Sequence, residues 1–276
     1  MQKIDSHVHF WDYDPVKNSW ITEDMAVIRR SFLPQDLEAI LKKQGMDGCV
    51  LVQVNQAEEE NDFFLKLASE HNFVRGMVGW VDLCNGQVMD RLAHYRVSGK
   101  IRGFRHILQD ETDRAYMLRP DFKRGIGSLR EFGFTYDLLI RPDQLPFAAQ
   151  LVKSFPEQPF IIDHLAKPAI RDQEIADWKK GIYRISRMEN AFCKLSGMLT
   201  EADWKSWTNE TFSPYIDVIV ECFGVDRILF GSDWPVCLLA GSYGNVLKIV
   251  EEYFSSFTET EKEKIFGGNA TAFYGL

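Results

Sequence analysis

The chain has 276 residues, of which 45% are hydrophobic and 26% charged, so it is long enough to bury a large core. Its formal net charge of -8 excludes the long-range attraction that nucleic acid or an anionic membrane surface would provide. There is no basic leader with an apolar core, and no segment has the roughly 18 apolar residues of a membrane span. We therefore expect a cytoplasmic protein that acts on a small molecule.

Eight short runs rich in β-branched and aromatic residues recur along the chain, separated by stretches with helical periodicity. The predicted strands are 3–9, 48–54, 75–81, 101–107, 135–140, 160–163, 191–195 and 227–231. The predicted helices are 33–44, 58–71, 86–97, 121–131, 144–155, 172–187, 214–223 and 243–254. Eight alternations predict a single (β/α)8 TIM-barrel domain over residues 1–276. A doubly wound parallel sheet is the alternative, but no Gly-x-Gly-x-x-Gly follows the first strand.

The five cysteines and the longest irregular segment suggest no site by themselves. No two cysteines form a Cys-x-x-Cys pair, which is typical of free thiols in a reducing compartment. Cys237 is a candidate nucleophile, although most free cysteines are inert packing residues. The segment 12–32 follows Trp11 and contains Trp20, and it predicts either a lid over the barrel mouth or simple aromatic packing.

Two histidines separated by one residue end the first strand. Because successive side chains of a strand alternate between its faces, His7 and His9 point the same way and can hold one metal ion, water or anion together. Such a pair also arises by chance in surface strands, so the other strand ends must decide its meaning.

In a (β/α)8 barrel the residues that follow the strands meet at one mouth. The polar or aromatic residues at the other strand ends are Gln53, Trp80 with Asp82, Arg105 with His106, Arg141, His164 with Lys167, Ser196, and Asp233 with Trp234. Asp233 alone is equally typical of a turn-stabilising aspartate. Together with His7, His9 and His164 it forms a ligand set that suits a catalytic zinc or manganese, or a water held without metal.

These motifs resemble the amidohydrolase-related (amidohydrolase 2) family of metal-dependent hydrolases, and within it the L-fuconolactonase-like and L-rhamnonolactonase-like sugar lactonases. The matching segments are Ile-Asp-Ser-His-Val-His-Phe-Trp-Asp at 4–12, Gly-Trp-Val-Asp-Leu at 79–83, Gly-Phe-Arg-His at 103–106, Tyr-Asp-Leu-Leu at 136–139, Asp-His-Leu-Ala-Lys-Pro at 163–168, Lys-Leu-Ser-Gly at 194–197, Phe-Gly-Ser-Asp-Trp-Pro-Val-Cys at 230–237 and Asn-Ala-Thr-Ala-Phe-Tyr-Gly at 269–275. The resemblance covers almost the full length. It implies a barrel hydrolase of carbohydrate catabolism that opens a sugar lactone, and it leaves self-association into a homo-oligomer open.

The resemblance also bears on the metal. Larger relatives with two metal ions use a bridging lysine on strand four and a histidine on strand five. Here strand four ends in Arg105 and His106, and 135–140 contains no histidine. The resemblance therefore implies at most one divalent metal, zinc or manganese, on the three histidines and the aspartate named above, or a metal-independent enzyme.

For lactone opening we assign Asp233 as the general base that activates water and later returns its proton to the ring oxygen. His164 would help to hold the water, and His7 and His9 would bind the metal or the carbonyl oxygen. The predicted substrate-binding residues are Arg105 or His106 for the oxyanion, Trp80 and Trp234 as walls for the sugar ring, and Lys167 and Arg141 for hydroxyls or the product carboxylate. Strand alternation leaves open which of Arg105 and His106 faces inward.

Two other functions fit the same barrel. A zinc-dependent decarboxylase of aromatic or muconate-type acids would need firm metal occupancy and a cationic pocket for a carboxylate. A catalytically silent barrel would use the histidines only to bind a metal or another ligand. Only a lactonase would release acid from a sugar lactone.

Overall fold

A barrel of eight parallel strands organises the protein, whose computed structural model describes residues 2–276. In chain order, which is also their order in the sheet, the strands are β1 Ile4–Val8, β2 Gly48–Val52, β3 Val74–Gly79, β4 Ile101–His106, β5 Thr135–Leu138, β6 Phe160–Ile162, β7 Ala191–Leu195 and β8 Ile228–Phe230. The last strand returns to the first where Val8 bridges to Trp234, and the His9 amide donates to the Trp234 carbonyl at 2.7 Å. The predicted (β/α)8 barrel is confirmed, and the doubly wound alternative is wrong because its sheet would be open.

Helices follow the strands and cover the outside of the barrel. They are α1 Pro34–Gln44, α2 Glu58–Glu70, α3 Val88–Arg96, α4 Pro120–Leu129, α5 Leu145–Ser154, α6 Ala176–Ile185, α7 Met198–Glu201, α8 Asn209–Phe223, α9 Tyr243–Tyr253, α10 Glu259–Glu263 and α11 Asn269–Tyr274. Helix α1 has Pro34 in its first turn and left-handed Gly45 at its C-terminal cap, as its sequence predicts. Across residues 2–276, none of the helices has both the length and the apolar character to cross a membrane.

Two predicted helix starts are wrong. Helix α8 begins at Asn209 rather than at 214, and Pro214 lies inside it, where the missing N–H removes one helical hydrogen bond. Helix α6 begins at Ala176 rather than at 172, because Gln173 has a φ of 57°, which a right-handed helix cannot contain. The short helices α7, α10 and α11 are not predicted by the sequence pattern, because they are too short to show a period.

The side chains inside the barrel form an apolar layer and a charged layer. The apolar layer packs against the C-terminal helix α11 and consists of Ile4, Val50, Val52, Val78, Ile161 and Leu229, with Ala270 and Tyr274 from the helix. The charged layer, closer to the carboxyl ends of the strands, consists of His7, Arg105, Asp137, Asp163 and Lys194, all buried. Alternate residues of the same strands, such as Leu51 and Met77, pack in the larger core against the helices.

The C-terminal residues connect the bottom of the barrel to its charged layer. Tyr274 is buried among the apolar interior residues, and its hydroxyl donates to Oδ2 of Asp137 at 2.8 Å. Asp137 also accepts a hydrogen bond from the buried Lys194 ammonium. The last turn of the chain therefore stabilises a carboxylate in the charged layer next to it.

We predict that Tyr274→Phe lowers the free energy of unfolding by about 1–3 kcal/mol, because the fully buried Asp137 carboxylate loses one of its hydrogen-bond donors. Urea denaturation of the purified variant measures this loss. The matched control is Tyr183→Phe, at a tyrosine that is 50% exposed, and we expect it to be close to wild type. Equal stability of the two variants would contradict the role given to the Tyr274 hydroxyl.

Candidate active site

The histidine pair of β1 lies at the barrel mouth with both rings on the interior side. Nε2 of His7 and Nε2 of His9 are 3.2 Å apart. Both residues are buried: His7 is 0% exposed and His9 is 5% exposed. The structure therefore brings the pair together as strand alternation predicts.

Asp233, directly after β8, brings its carboxylate to this pair. Its φ of 57° places it in a left-handed turn, and its amide donates to the His7 carbonyl at 2.9 Å. Its Oδ1 then lies 3.3 Å from Nε2 of His9 and 3.8 Å from Nε2 of His7. Nε2 of His164 is 3.9 Å from the same oxygen. One carboxylate oxygen thus faces three imidazole nitrogens.

His164 reaches the site through a strained backbone turn after β6. His164, Leu165, Ala166 and Lys167 have φ values of 53°, 56°, 59° and 51°. Each non-glycine residue in this region costs roughly 1–2 kcal/mol. Neighbouring contacts hold the turn, since Trp178 donates from Nε1 to the Leu165 carbonyl at 2.6 Å. Strain of this kind typically persists where the surrounding structure enforces it for function.

Polar contacts of the Nδ1 atoms orient the three imidazoles. Nδ1 of His9 lies 2.8 Å from the Val52 carbonyl, which can only accept, so its Nε2 keeps a free lone pair. Nδ1 of His164 contacts Oγ of Ser196 at 2.8 Å, and Nδ1 of His7 lies 3.3 Å from Oδ1 of Asp163. Each ring therefore turns its Nε2 towards Asp233, as metal-binding histidines with such partners do.

This arrangement fits a divalent metal ion. The ligand atoms of His7, His164 and Asp233 lie within 4.8 Å of one another, and the group is able to bind a metal. His9 offers a further nitrogen on the same carboxylate oxygen. Imidazole nitrogens and a carboxylate oxygen are donors of catalytic zinc sites, in which three protein ligands leave a fourth position for water.

Burial and neighbouring charges set the protonation states at the site. Burial lowers the pKa of His164 to about 4 and holds that of His7 well below its ordinary value. Burial alone would raise the pKa of Asp233, but the imidazoles of His164, His9 and His7 outweigh it and lower this pKa. At neutral pH the site therefore contains neutral His7 and His164 rings and an ionised carboxylate, the states in which these groups bind a metal.

Two buried cations and two buried carboxylates lie directly behind the histidines. Nζ of Lys194 is 3.0 Å from Oδ1 of Asp163 and 3.2 Å from Nδ1 of His7. Nη1 of Arg105 donates to Oδ2 of Asp163 at 2.9 Å. Lys194, His7 and Arg105 together lower the pKa of Asp163 against the effect of its burial, whereas burial raises the pKa of Asp137 to about 6. Removing one member would leave an uncompensated buried charge.

A cavity of about 390 Å³ opens above these groups, a volume suited to a small ligand. His9, His164 and Asp233 lie among its lining residues. Its other walls include the aromatic residues Trp11, Trp20 and Trp204, the cationic residues Arg105, Arg141 and Lys167, and the acidic residues Asp110 and Glu201. The segment 12–32 thus contributes a wall through Trp20, whose ring meets Trp11 edge-on at 5.7 Å.

Three predicted substrate-binding residues do not line this cavity. His106 faces the helices, where its ring stacks on Tyr116 at 5.2 Å and its Nε2 contacts Glu111 at 2.7 Å. Trp80 donates from Nε1 towards Nδ1 of His106 at 3.4 Å. Trp234 is buried against Phe10 and Phe32. Strand alternation turns Arg105 inward and His106 outward, and the structure places His106, Trp80 and Trp234 in packing contacts outside the lining of this cavity.

The sequence assigned no role to several residues of the site. Lys194 and Asp137 lie within apolar runs at inward strand positions, and a charge in such a run is the signal that could have identified them. Asp163 directly precedes His164, and only the histidine has a role predicted from the sequence. Glu201 and Trp204 belong to the loop around α7, which has no predictive pattern.

Comparison with known proteins identifies chains similar to this one. Residues 4–276 match the family model described as Amidohydrolase. The L-fucono-1,5-lactonase of Burkholderia multivorans is 36% identical over 99% of this chain and 96% of its own, and that of Burkholderia ambifaria is 33% identical with the same coverage. The crystal structure of an amidohydrolase from Burkholderia multivorans with bound Zn, 36% identical, superposes over 100% of both chains with a TM-score of 0.97.

We predict that Gly197→Ala lowers stability and disturbs His164, because a Cβ at this position would lie 2.6 Å from Cγ and Nδ1 of His164. The matched control is Gly99→Ala. Gly197 and Gly99 share a φ of 63°, but Gly99 has no atom within 4 Å of an added Cβ. The control should lose about 1 kcal/mol from the left-handed conformation alone, and Gly197→Ala at least twice as much. Equal losses in the free energy of unfolding, measured by urea denaturation, would show that His164 moves away from the added Cβ at no cost and would contradict the prediction.

We predict that zinc titration of the metal-free protein saturates at one ion per chain, because residues 2–276 contain a single group of converging ligands, His7, His164 and Asp233. His164→Gln should weaken zinc binding by at least about tenfold, whereas His106→Gln, at a buried histidine outside the site, should not change it. Isothermal titration calorimetry measures both quantities. Saturation at two ions, or equal weakening by the two variants, would contradict this site.

Proposed function

Because the chain belongs to the amidohydrolase family, we propose that it hydrolyses a sugar lactone, such as L-fuconolactone or L-rhamnonolactone, to the aldonic acid. The observation that carries this proposal is the Asp233 carboxylate facing three histidines at the base of a cavity that suits a small ligand. The two full-length relatives named L-fucono-1,5-lactonase support the substrate class. A protein of Scheffersomyces stipitis named L-rhamnono-gamma-lactonase, 27% identical over 64% of this chain, supports it as well.

The cavity walls suit a polyhydroxylated ring. Trp11, Trp20 and Trp204 offer apolar faces on which the C–H groups of a sugar can pack. Lys167 and Glu201, whose charged groups are 3.4 Å apart, present donors and acceptors for ring hydroxyls. Arg141 lies at the rim and suits the carboxylate that appears when the ring opens.

Asp233 acts as the general base in the proposed reaction. Its ionised carboxylate takes a proton from water, whose oxygen attacks the lactone carbonyl carbon. His164 holds this water near Oδ1 of Asp233. The bond between the carbonyl carbon and the ring oxygen then breaks, and Asp233 returns its proton to the departing alkoxide. The products are a hydroxyl group and a carboxylic acid, which ionises and acidifies the solution.

Charge on the carbonyl oxygen needs stabilisation while the water attacks. Arg105 is a fixed cation that lines the cavity beside the histidines, and its positive charge favours an oxyanion. A divalent metal held by His7, His9, His164 and Asp233 would, when bound, add Lewis-acid polarisation of the carbonyl and lower the pKa of its water.

The proposed activity is tested by acid release in weakly buffered indicator with L-fucono-1,5-lactone and L-rhamnono-γ-lactone. We expect acid release well above the uncatalysed rate from at least one of the two. A decarboxylase would leave both lactones unchanged and release carbon dioxide from an aromatic acid such as dihydroxybenzoate. A silent barrel would act on neither.

We predict that Asp233→Asn lowers kcat at least about 10³-fold, because the amide cannot accept the proton of the attacking water. Asp110→Asn is the matched control: this carboxylate also lines the cavity, but it makes no ion pair with the histidines among the described residues. It should change KM more than kcat. Near-native turnover of a folded Asp233→Asn variant, checked by its thermal melt, would refute the assigned base.

A further inference from the structure

The Arg105 guanidinium is held by a complete set of acceptors. Its Nε donates to Oε1 of Gln53 at 3.2 Å, and Nη2 donates to the same oxygen at 2.8 Å and to the Gln53 carbonyl. Nη1 donates to Oδ2 of Asp163 at 2.9 Å. The second N–H of Nη1 faces Nε2 of His7 at 3.3 Å. All five N–H groups therefore have a partner, and the side chain is only 4% exposed.

The contact with His7 involves the nitrogen that a metal would need. Nδ1 of His7 lies 3.3 Å from Oδ1 of Asp163 and 3.2 Å from Nζ of Lys194. In the tautomer that donates from Nδ1 to the Asp163 carboxylate, Nε2 keeps the single lone pair of the ring. That lone pair can accept from Arg105 or bind a metal ion, but it cannot do both. In addition, a divalent cation at Nε2 would meet a fixed positive charge in a buried place where water screens it little.

We propose that Arg105 and a divalent metal compete for Nε2 of His7, so that the guanidinium holds the metal affinity of this site low. This inference rests on the metal-binding role given to His7 in the proposed function. Four of the five hydrogen bonds of Arg105 do not involve His7, so the side chain stays beside the site when it releases the imidazole. The site therefore has two forms, one in which a metal occupies Nε2 and one in which the guanidinium does.

Other cations of the cavity do not share this position. Arg141 and Lys167 also line the cavity, but within residues 2–276 neither has a hydrogen bond to His7, and Lys167 pairs with Glu201. Arg141 thus provides a matched control for the loss of one positive charge in the same cavity. The competition predicts a gain in zinc affinity when Arg105 is replaced, because its guanidinium contacts Nε2 of His7, and little change when Arg141 is replaced.

The test is zinc binding to metal-free protein, measured by calorimetry with a competing chelator in wild type, Arg105→Gln and Arg141→Gln. We expect Arg105→Gln to bind zinc about 10- to 100-fold more tightly than wild type, the range seen when groups next to metal ligands change. Arg141→Gln should stay within about threefold of wild type, as expected for a screened rim charge. Unchanged or weaker binding by Arg105→Gln, or an equal gain in Arg141→Gln, overturns the proposal.

A second measurement uses wild type alone, in case Arg105→Gln does not fold. Zinc is titrated while the guanidinium N–H resonances are followed by NMR. We expect the Arg105 resonances to shift until one zinc per chain is bound, and those of Arg141 to stay in place. Arg105 resonances that do not respond to zinc overturn the proposal. Because neither readout uses lactone turnover, failure of the competition and failure of the lactonase proposal are distinguishable.

Discussion

The contact between the Asp233 carboxylate and three imidazole nitrogens is the constraint on which the rest of the structure depends. Oδ1 of Asp233 lies within 3.9 Å of Nε2 of His7, His9 and His164. Closely spaced nitrogens that carry lone pairs repel one another, so the protein must hold each ring through its Nδ1 atom. The Val52 carbonyl, the Ser196 hydroxyl and the Asp163 carboxylate do this, and the strained turn at His164 is a further cost of the same arrangement.

The charged layer inside the barrel extends this constraint downwards. Asp163 orients His7 and is itself balanced by Lys194 and Arg105, and Lys194 in turn pairs with Asp137. A buried carboxylate without these cations would be expensive, and so would each cation alone. Tyr274 joins Asp137 to the C-terminal helix, which closes the opposite end of the barrel. The last turn of the chain and the site at the mouth are therefore connected through consecutive buried hydrogen bonds and ion pairs.

Much of this could be predicted from the sequence, because the strands are short apolar runs and a parallel barrel brings their carboxyl ends together. That is why His7, His9, His164 and Asp233 could be grouped although they are far apart in the chain. Side-chain direction at a strand end was harder: Arg105 and His106 are neighbours, yet only Arg105 faces inward. Trp80 and Trp234 are residue types that often pack against sugar rings. In this structure Trp80 contacts His106, and Trp234 packs against Phe10 and Phe32, outside the cavity lining. The role of Lys194 could not be predicted, because a single charged residue in an apolar run forms no periodic sequence pattern.

In the proposed reaction, water attacks the carbonyl carbon of a sugar lactone at this site. Turnover of L-fucono-1,5-lactone in water enriched in oxygen-18, with the uncatalysed reaction subtracted, tests it most directly. We expect the protein to accelerate ring opening, and the label to enter only the carboxylate of the product. Ring opening no faster than in buffer, or label in the hydroxyl derived from the ring oxygen, would contradict it.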